Sequence, residues 1–132
     1  MNGFLLDTSI CVFLFRGNHQ VEKRMNEIGR ARCFISDVVL AELRFGAYKS
    51  KRVEENLKMI DDFVRDVRVL PFLESIDVYA REKVRLTKIG RLIEDFDLFI
   101  GCAAKAAGLI LVTNNVKHFN HIENLEIEDW TS

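Results

Sequence analysis

The chain has 132 residues, of which 48% are hydrophobic, and its 19 basic and 20 acidic side chains give a formal net charge of −1 at pH 7. This length predicts a single domain over residues 1–132, and the apolar share excludes an intrinsically disordered protein. The charge balance excludes a general attraction to nucleic acid or to an anionic membrane, so such a partner would have to meet a local basic patch.

Short apolar segments alternate with helical patterns along the chain. The predicted strands cover residues 3–7, 33–35, 67–71, 109–113 and 125–130. The predicted helices cover residues 9–15, 19–30, 36 or 37 to 48, 50–66, 75–88 and 93–107. Gly17 and Gly108 are helix-ending signals, and Ser36 or Asp37 offers an N-cap. The alternation predicts an α/β fold with a mainly parallel sheet covered by helices on both faces.

The cysteines and the amino terminus indicate the compartment. Cys11, Cys33 and Cys102 lie in apolar segments without the spacing of metal ligands. An odd number of such cysteines is typical of buried, reduced thiols, so we expect a cytoplasmic location. The first residues lack the pattern of a signal peptide, and no segment approaches the roughly 20 apolar residues of a membrane span, so no membrane partner is expected.

Asp7 closes the first apolar strand, and the hydroxyls of Thr8 and Ser9 follow it directly. Open α/β sheets bind their ligands at the carboxyl ends of strands, which makes Asp7 a candidate site residue. Asp is also a common helix N-cap, and capping explains this residue alone equally well.

Glu42 has apolar neighbours on its predicted helix, among them Val39 and Leu43. A carboxylate in these surroundings is expected to be at least half buried, and a buried unpaired charge costs several kcal/mol. Two explanations remain open, a metal site and a salt bridge to a basic side chain such as Arg44 or Lys49.

Asp97 ends the acidic segment 94–97, at the opening of an Ala-rich predicted helix. Acids in a first turn interact favourably with the helix dipole by about 0.3–1 kcal/mol, which explains one of them but not three. The neighbours Ile100 and Ala103 predict that Asp97 faces the core, with Asp95 as a cap or a supporting residue.

Polar side chains also follow the fourth predicted strand, at Thr113, Asn114 and Asn115. Amide oxygens can ligate Mg²⁺ or hold its water, and a plain Asn-Asn turn is an equally good explanation. Three carboxylates converging within about 4–6 Å would repel one another by several kcal/mol, and a hard divalent cation removes that penalty. Oxygen donors favour Mg²⁺ or Mn²⁺ over Zn²⁺. The histidines are expected at the surface or in loops, at His19, His118 and His121.

Four ordered segments resemble the successive motifs of PIN-domain ribonucleases, most closely the VapC toxins of toxin–antitoxin pairs. They are Leu5-Leu6-Asp7-Thr8-Ser9, Ala41-Glu42-Leu43, Asp95-Phe96-Asp97-Leu98-Phe99-Ile100 and Leu111-Val112-Thr113-Asn114-Asn115. Residues 122–130 also resemble the ending of that group. Each motif is short, but the ordered set covers essentially the whole chain.

The resemblance implies a Rossmann-like three-layer α/β/α sandwich and Mg²⁺-dependent hydrolysis of RNA, with a tRNA as the first candidate substrate. It also implies a homodimer and a small VapB-like antitoxin, with DNA reached only through that antitoxin. Asp7, Glu42 and Asp97 match the acidic core, and Thr8 and Thr113 match supporting hydroxyls.

Asn115 departs from the family pattern, because many PIN domains have a fourth acid at this position. The departure favours one Mg²⁺ over two. As the resemblance has it, Asp7 and Asp97 ligate the ion, and Glu42 ligates through water or positions the nucleophile.

RNA could reach an acidic site only along a basic rim. The candidate rim residues are Arg44, Lys49, Lys51, Arg52, Arg81, Arg85 and Lys88. The apolar segment 11–15 is a candidate groove for the antitoxin.

The sequence leaves two other functions open. One is a noncatalytic PIN-like binding module, against which the three acids argue. The other is a Mg²⁺-dependent phosphotransfer domain, although Ser9 stands where haloacid-type phosphatases have a second Asp.

Overall fold

The computed structural model describes residues 3–131, and its centre is a five-stranded sheet. The strands are β1 (Phe4–Leu6), β2 (Cys33–Ser36), β3 (Arg68–Leu70), β4 (Ile110–Val112) and β5 (Ile127–Glu128). Their order is β3-β2-β1-β4-β5, and the four pairings are all parallel. In the central register, Leu5 lies opposite Phe34 on one side and Leu111 on the other. The predicted α/β class with a parallel sheet is confirmed.

Helices connect and flank these strands. They are α1 (Thr8–Phe15), α2 (His19–Ile28), α3 (Asp37–Lys49), α4 (Val53–Asp66), α5 (Ile76–Lys88), α6 (Asp95–Ala107) and α7 (Val116–Phe119). Short 3₁₀ turns cover Arg30–Arg32 and Phe72–Ser75. None of the helices in residues 3–131 has the length and apolar character needed to cross a membrane.

The helix ends follow local chemistry. The side chain of Ser36 accepts the Val39 N–H at 3.1 Å and begins α3, as one of the two predicted caps. Gly108 ends α6 at a φ of 67°, a left-handed conformation that favours glycine. The predicted extension of α2 to residue 30 is wrong, because Gly29 at a φ of 96° ends that helix after Ile28.

The central strand β1 lies in the hydrophobic core, where Leu5 and Leu6 are fully buried. The chain winds outward from β1 to β2 and β3, then returns to the other side of β1 to form β4 and β5. The strand order therefore reverses between β1 and β4, the place where open α/β sheets bind ligands. Asp7 and Thr113 follow these two strands directly.

Candidate functional site

A cavity of about 330 Å³ opens at the carboxyl ends of β1 and β4. The side chains that line it are mostly polar, and they are Asp7, Thr8, Ser9, Glu42, Asp97, Asn114, Asn115 and Phe119. The structure thus brings together the three predicted acids with Thr8 and Asn115, although they are far apart in the chain.

Asp7 caps α1 and lies at the base of this cavity, with 5% of its surface exposed. Its Oδ1 accepts the Ile10 N–H at 2.9 Å and the Ser9 hydroxyl at 2.8 Å. Burial raises the pKa of Asp7 above 3.8 and the charge of Asp97 adds to that rise, while hydrogen bonds from Thr113, Ile10 and Ser9 oppose it. Capping is confirmed, and it leaves the charge of this carboxylate without a cation.

Glu42 enters the cavity from α3 and is partly buried. Burial raises its pKa above 4.5, and the negative charges of Asp97, Glu94 and Asp7 act in the same direction. The opposing contact is the Thr8 hydroxyl, which donates a hydrogen bond to Glu42 Oε1. The charges of Asp7 and Asp97 therefore make the ionisation of Glu42 more costly.

The salt bridge that was the alternative for Glu42 is not formed. Arg44 instead contacts Asp61, with 3.1 Å between Nη1 and Oδ1. Lys49 lies over the ring of Phe45, 5.5 Å from its centroid. Within residues 3–131, no ion pair includes Glu42.

Asp97 lies in the first turn of α6 and contacts a residue that sequence reasoning missed. Its Oδ2 is 3.1 Å from Nε2 of His118, which α7 carries. Four residues are too few for a helical period to be recognised, so α7 was not predicted. The expectation of a surface or loop position for His118 missed its place on α7 and its contact with Asp97. Their one signal is that His118 follows the polar end of β4 by one helical turn.

The remaining predicted residues separate into two groups. Thr113 is fully buried beneath the cavity, and its Oγ1 accepts the Asn115 N–H at 3.0 Å. Asp95 is the predicted residue that the structure does not bring to the cavity. Its Oδ1 accepts hydrogen bonds from Lys83 Nζ at 2.8 Å and from Tyr79 Oη at 3.0 Å, which hold the pKa of Asp95 below 3.8.

Ser9 and Asn114 also line the site. The sequence offered the Asn114 amide as a candidate for Mg²⁺ or its water, whereas Ser9 had been assigned no role. The Ser9 hydroxyl lies between two acceptors, 2.8 Å from Asp7 Oδ1 and 2.9 Å from Asn114 Oδ1. This contact connects the end of β1 to the end of β4 and fixes the orientation of the Asp7 carboxylate.

The donor chemistry of the cavity fits Mg²⁺ or Mn²⁺. Its lining offers carboxylate, hydroxyl and amide oxygens, the ligands of hard divalent cations. No group of three His, Cys, Asp or Glu side chains in the described part of the chain has the spacing of a metal site. The fit therefore lies in donor type and in uncompensated negative charge, not in a closed set of ligands.

An apolar groove of about 340 Å³ adjoins the acidic cavity and shares Thr8 and Glu42 with it. Three helices form the groove, and its other lining residues are Val12, Phe15, Arg16, Leu43, Gly46, Ala47, Ser50, Asn56, Met59 and Ile60. Of the predicted segment 11–15, Val12 and Phe15 line the groove, whereas Cys11 is fully buried and Phe13 is not among the lining residues.

Comparison with known proteins identifies close sequence relatives. A family model described as the PIN domain matches residues 4–125. The chain is 34% identical over 129 residues to a tRNA(fMet)-specific endonuclease VapC of Shigella flexneri, with 97% of this chain and 98% of that protein covered. It is 35% identical over 135 residues to Ribonuclease VapC2 of Rickettsia felis, with 96% and 97% covered.

Solved structures show the same fold. One is DNA-bound VapBC from Salmonella typhimurium, with a TM-score of 0.92, 32% identity and coverage of 98% of this chain and 99% of that chain. Another is VapBC2 from Rickettsia felis bound to a promoter DNA fragment, with a TM-score of 0.90, 32% identity and coverage of 96% and 98%.

Proposed function

This chain belongs to the PIN-domain family and is a ribonuclease of its VapC group, and from that premise we propose that it is a toxin whose RNA cleavage requires Mg²⁺ or Mn²⁺. The observation that carries the proposal is the cavity shared by Asp7, Glu42 and Asp97. Two of these carboxylates have raised pKa values and no cationic partner, so the site is electrostatically incomplete without a cation.

The three acids of the cavity and the hydroxyls that contact them have distinct parts in the proposed hydrolysis. Asp7 and Asp97 would hold the ion, whose chemistry there is to acidify water and to stabilise charge on the phosphate. Glu42 would orient the attacking water, and the Thr8 hydroxyl fixes the position of the Glu42 carboxylate. Ser9 and Thr113 hold Asp7 by hydrogen bonds.

A tRNA is the proposed substrate, because a relative with 34% identity over nearly the whole chain is named for tRNA(fMet). A cytoplasmic location, where tRNA would be met, belongs to the same proposal. Its support is that Cys11, Cys33 and Cys102 are free and buried, which suits a reducing compartment.

A VapB-like antitoxin is the proposed protein partner, and its proposed binding site is the apolar groove beside the cavity. The similar structures are VapBC complexes, two of them with DNA, so we assign the DNA contact to the antitoxin. Phe15→Ala should weaken antitoxin binding, and Phe13→Ala is the matched control, since Phe13 is not a lining residue. Equal affinities of the two variants in a calorimetric titration would remove this assignment.

A homodimer is the proposed assembly, and exposed apolar side chains support it. Leu73 and Leu92 are 75% and 73% exposed, and Ile76 and Phe96 are each 46% exposed. Covering such side chains is a common reason for self-association. Leu73→Asp should shift the protein to monomers in sedimentation equilibrium, and an unchanged assembly would place the interface elsewhere.

The nuclease proposal is tested by cleavage of a tRNA with and without Mg²⁺. We expect Asp7→Ala and Asp97→Ala to lower the rate by at least about a hundredfold. Asp95→Ala is the matched control, because it removes the same charge from the same turn of α6 outside the cavity, and it should stay within about threefold of wild type. Equal activity in all four proteins would indicate a contaminating nuclease and overturn the proposal.

A further inference from the structure

Two exposed aromatic rings lie on α3, each with a basic side chain over its face. Phe45 is 67% exposed and Tyr48 is 61% exposed. Lys49 Nζ lies 5.5 Å from the centroid of the Phe45 ring, and the guanidinium carbon of Arg44 lies 5.9 Å from that of Tyr48. Neither ring belongs to the core, so packing within this chain does not account for them.

Phe45 is the ring on the same face of α3 as Glu42, which lines the acidic cavity. Phe45 and Lys49 follow Glu42 by three and seven residues, spacings that place all three side chains on one face. The apolar groove is lined instead by Leu43 and Ala47, and neither Phe45 nor Tyr48 is among its lining residues. Glu42 thus separates two flanks of α3, an apolar flank at the groove and an aromatic, basic flank on the other side.

The charge on the second flank fits a polyanion. Residues 44–52 contain four basic side chains and no acid. Two of them are in ion pairs, Arg44 with Asp61 and Arg52 with Glu55, whereas Lys49 takes part in no ion pair within residues 3–131. A cavity of carboxylates repels phosphates, so RNA that enters it needs cations at the rim.

We propose that Phe45 and Lys49, flanked by Tyr48, bind an unpaired nucleotide of RNA beside the phosphate that is cleaved. The base stacks on the ring of Phe45, and the Lys49 ammonium contacts an adjoining phosphate. Aromatic rings next to cations are the usual platform for unpaired nucleotides, whereas a peptide segment would be drawn to the apolar groove. The inference rests on the proposed RNA cleavage by the acidic cavity.

Binding of two labelled RNAs tests the inference directly. One probe is a stem-loop with a single-stranded loop, and the other is a fully paired duplex of the same length. Both are titrated in Mg²⁺ with Asp7→Asn protein, which should not cut them, and fluorescence anisotropy gives Kd. Introducing Phe45→Ala into the Asp7→Asn protein should weaken binding to the stem-loop by about tenfold and leave the affinity for the duplex nearly unchanged.

Three further variants sharpen the result. Phe45→Trp should keep the affinity and lose fluorescence on binding the loop, because the indole stacks on a base. Lys49→Gln should weaken binding to the stem-loop and reduce the dependence of that binding on salt concentration. Ile89→Ala, which shortens a 55% exposed apolar side chain at the end of α5, is the control and should leave both affinities unchanged.

Two results would overturn the inference. One is a Phe45→Ala variant that binds both RNAs within twofold of the Ile89→Ala control. The other is a Phe45→Ala variant that loses antitoxin affinity while its RNA affinity is unchanged, which would make this flank part of the antitoxin site. If cleavage still depends on Asp7 and Asp97 in either case, the nuclease proposal stands and the stacking site alone fails.

Discussion

Asp7 and Glu82 are carboxylates of almost equal exposure, 5% and 4%, in two different regions of the molecule. Glu82 lies on α5, where both of its oxygens accept hydrogen bonds from Arg85 at 2.8 and 3.0 Å. Lys105 Nζ is 3.6 Å away, and the Glu123 N–H donates a hydrogen bond at 2.8 Å. These contacts, Arg85 first among them, hold the pKa of Glu82 below 4.5, whereas burial without a cation raises the pKa of Asp7.

The two carboxylates show which kind of buried charge points to a ligand. Glu82 has its cations within the chain, and Arg85 also donates to the His121 carbonyl at 2.7 Å, so this cluster fastens the turn after α7 to α5. Asp7 has neighbours that orient it but none that neutralise it. Burial alone therefore does not mark a functional acid, and burial without an internal cation does.

The largest difference between the regions should appear in stability. Glu82→Gln removes the charge that Arg85 and Lys105 face, and we expect it to lower the free energy of unfolding by about 2 kcal/mol. Asp7→Asn keeps a capping side chain and removes an uncompensated charge, so stability should be unchanged or slightly higher. Urea denaturation near neutral pH without divalent ions measures both, and equal losses in the two variants would erase the contrast.

The pH dependence of these differences should have opposite signs. The folded pKa of Asp7 lies above 3.8, the ordinary pKa that Asp7 has in the unfolded chain. Between 3.8 and the folded pKa, the folded state binds more protons than the unfolded chain, so the free energy of unfolding falls as pH rises. The folded pKa of Glu82 lies below 4.5, so its contribution is complete above 4.5 and is lost as pH falls through the folded pKa.

Urea denaturation of the same variants across the acidic range checks these signs. The stability deficit of Glu82→Gln should shrink as pH falls below 4.5. Any excess stability of Asp7→Asn should disappear as pH falls to 3.8. If the difference from wild type in free energy of unfolding changed with pH in the same direction for both variants, the opposite pKa shifts of Asp7 and Glu82 would be contradicted.

A smaller effect is expected for the residue that touches the acidic cavity from α7. His118→Ala removes the contact with Asp97 and frees that carboxylate to move, so Mn²⁺ affinity should change by roughly tenfold or less. Lys117→Ala, one position away on α7, is the control and should bind Mn²⁺ as wild type does. A His118→Ala protein that loses Mn²⁺ binding altogether would make the imidazole a required ligand.

Most of the fold could be predicted because local signals determine it. Ser36 and Gly108 mark helix ends, and the apolar runs that become β1 and β4 are too short and too continuous for surface helices. The short helix α7 and the two 3₁₀ turns were not predicted, because three or four residues carry no period.

The acids of the cavity could be predicted since parallel strands end at one edge of a sheet, which brings Asp7 near the residues after β4. Asp95 could not be assigned correctly, because its partner Lys83 comes from α5 and the sequence gives no distance between helices. The burial and ion pairs of Glu82 could not be predicted for the same reason, since in the sequence Glu82 resembles any charged residue of an exposed helix face.

The central claim is that Asp7, Glu42 and Asp97 depend on one divalent cation for their charge balance. Calorimetric titration of Mn²⁺ into wild type, Asp7→Asn and Glu82→Gln near neutral pH tests it most directly. We predict one bound ion in wild type, an affinity within about twofold of it in Glu82→Gln, and at least about tenfold weaker binding in Asp7→Asn. Equal Mn²⁺ affinity in wild type and Asp7→Asn would contradict the account.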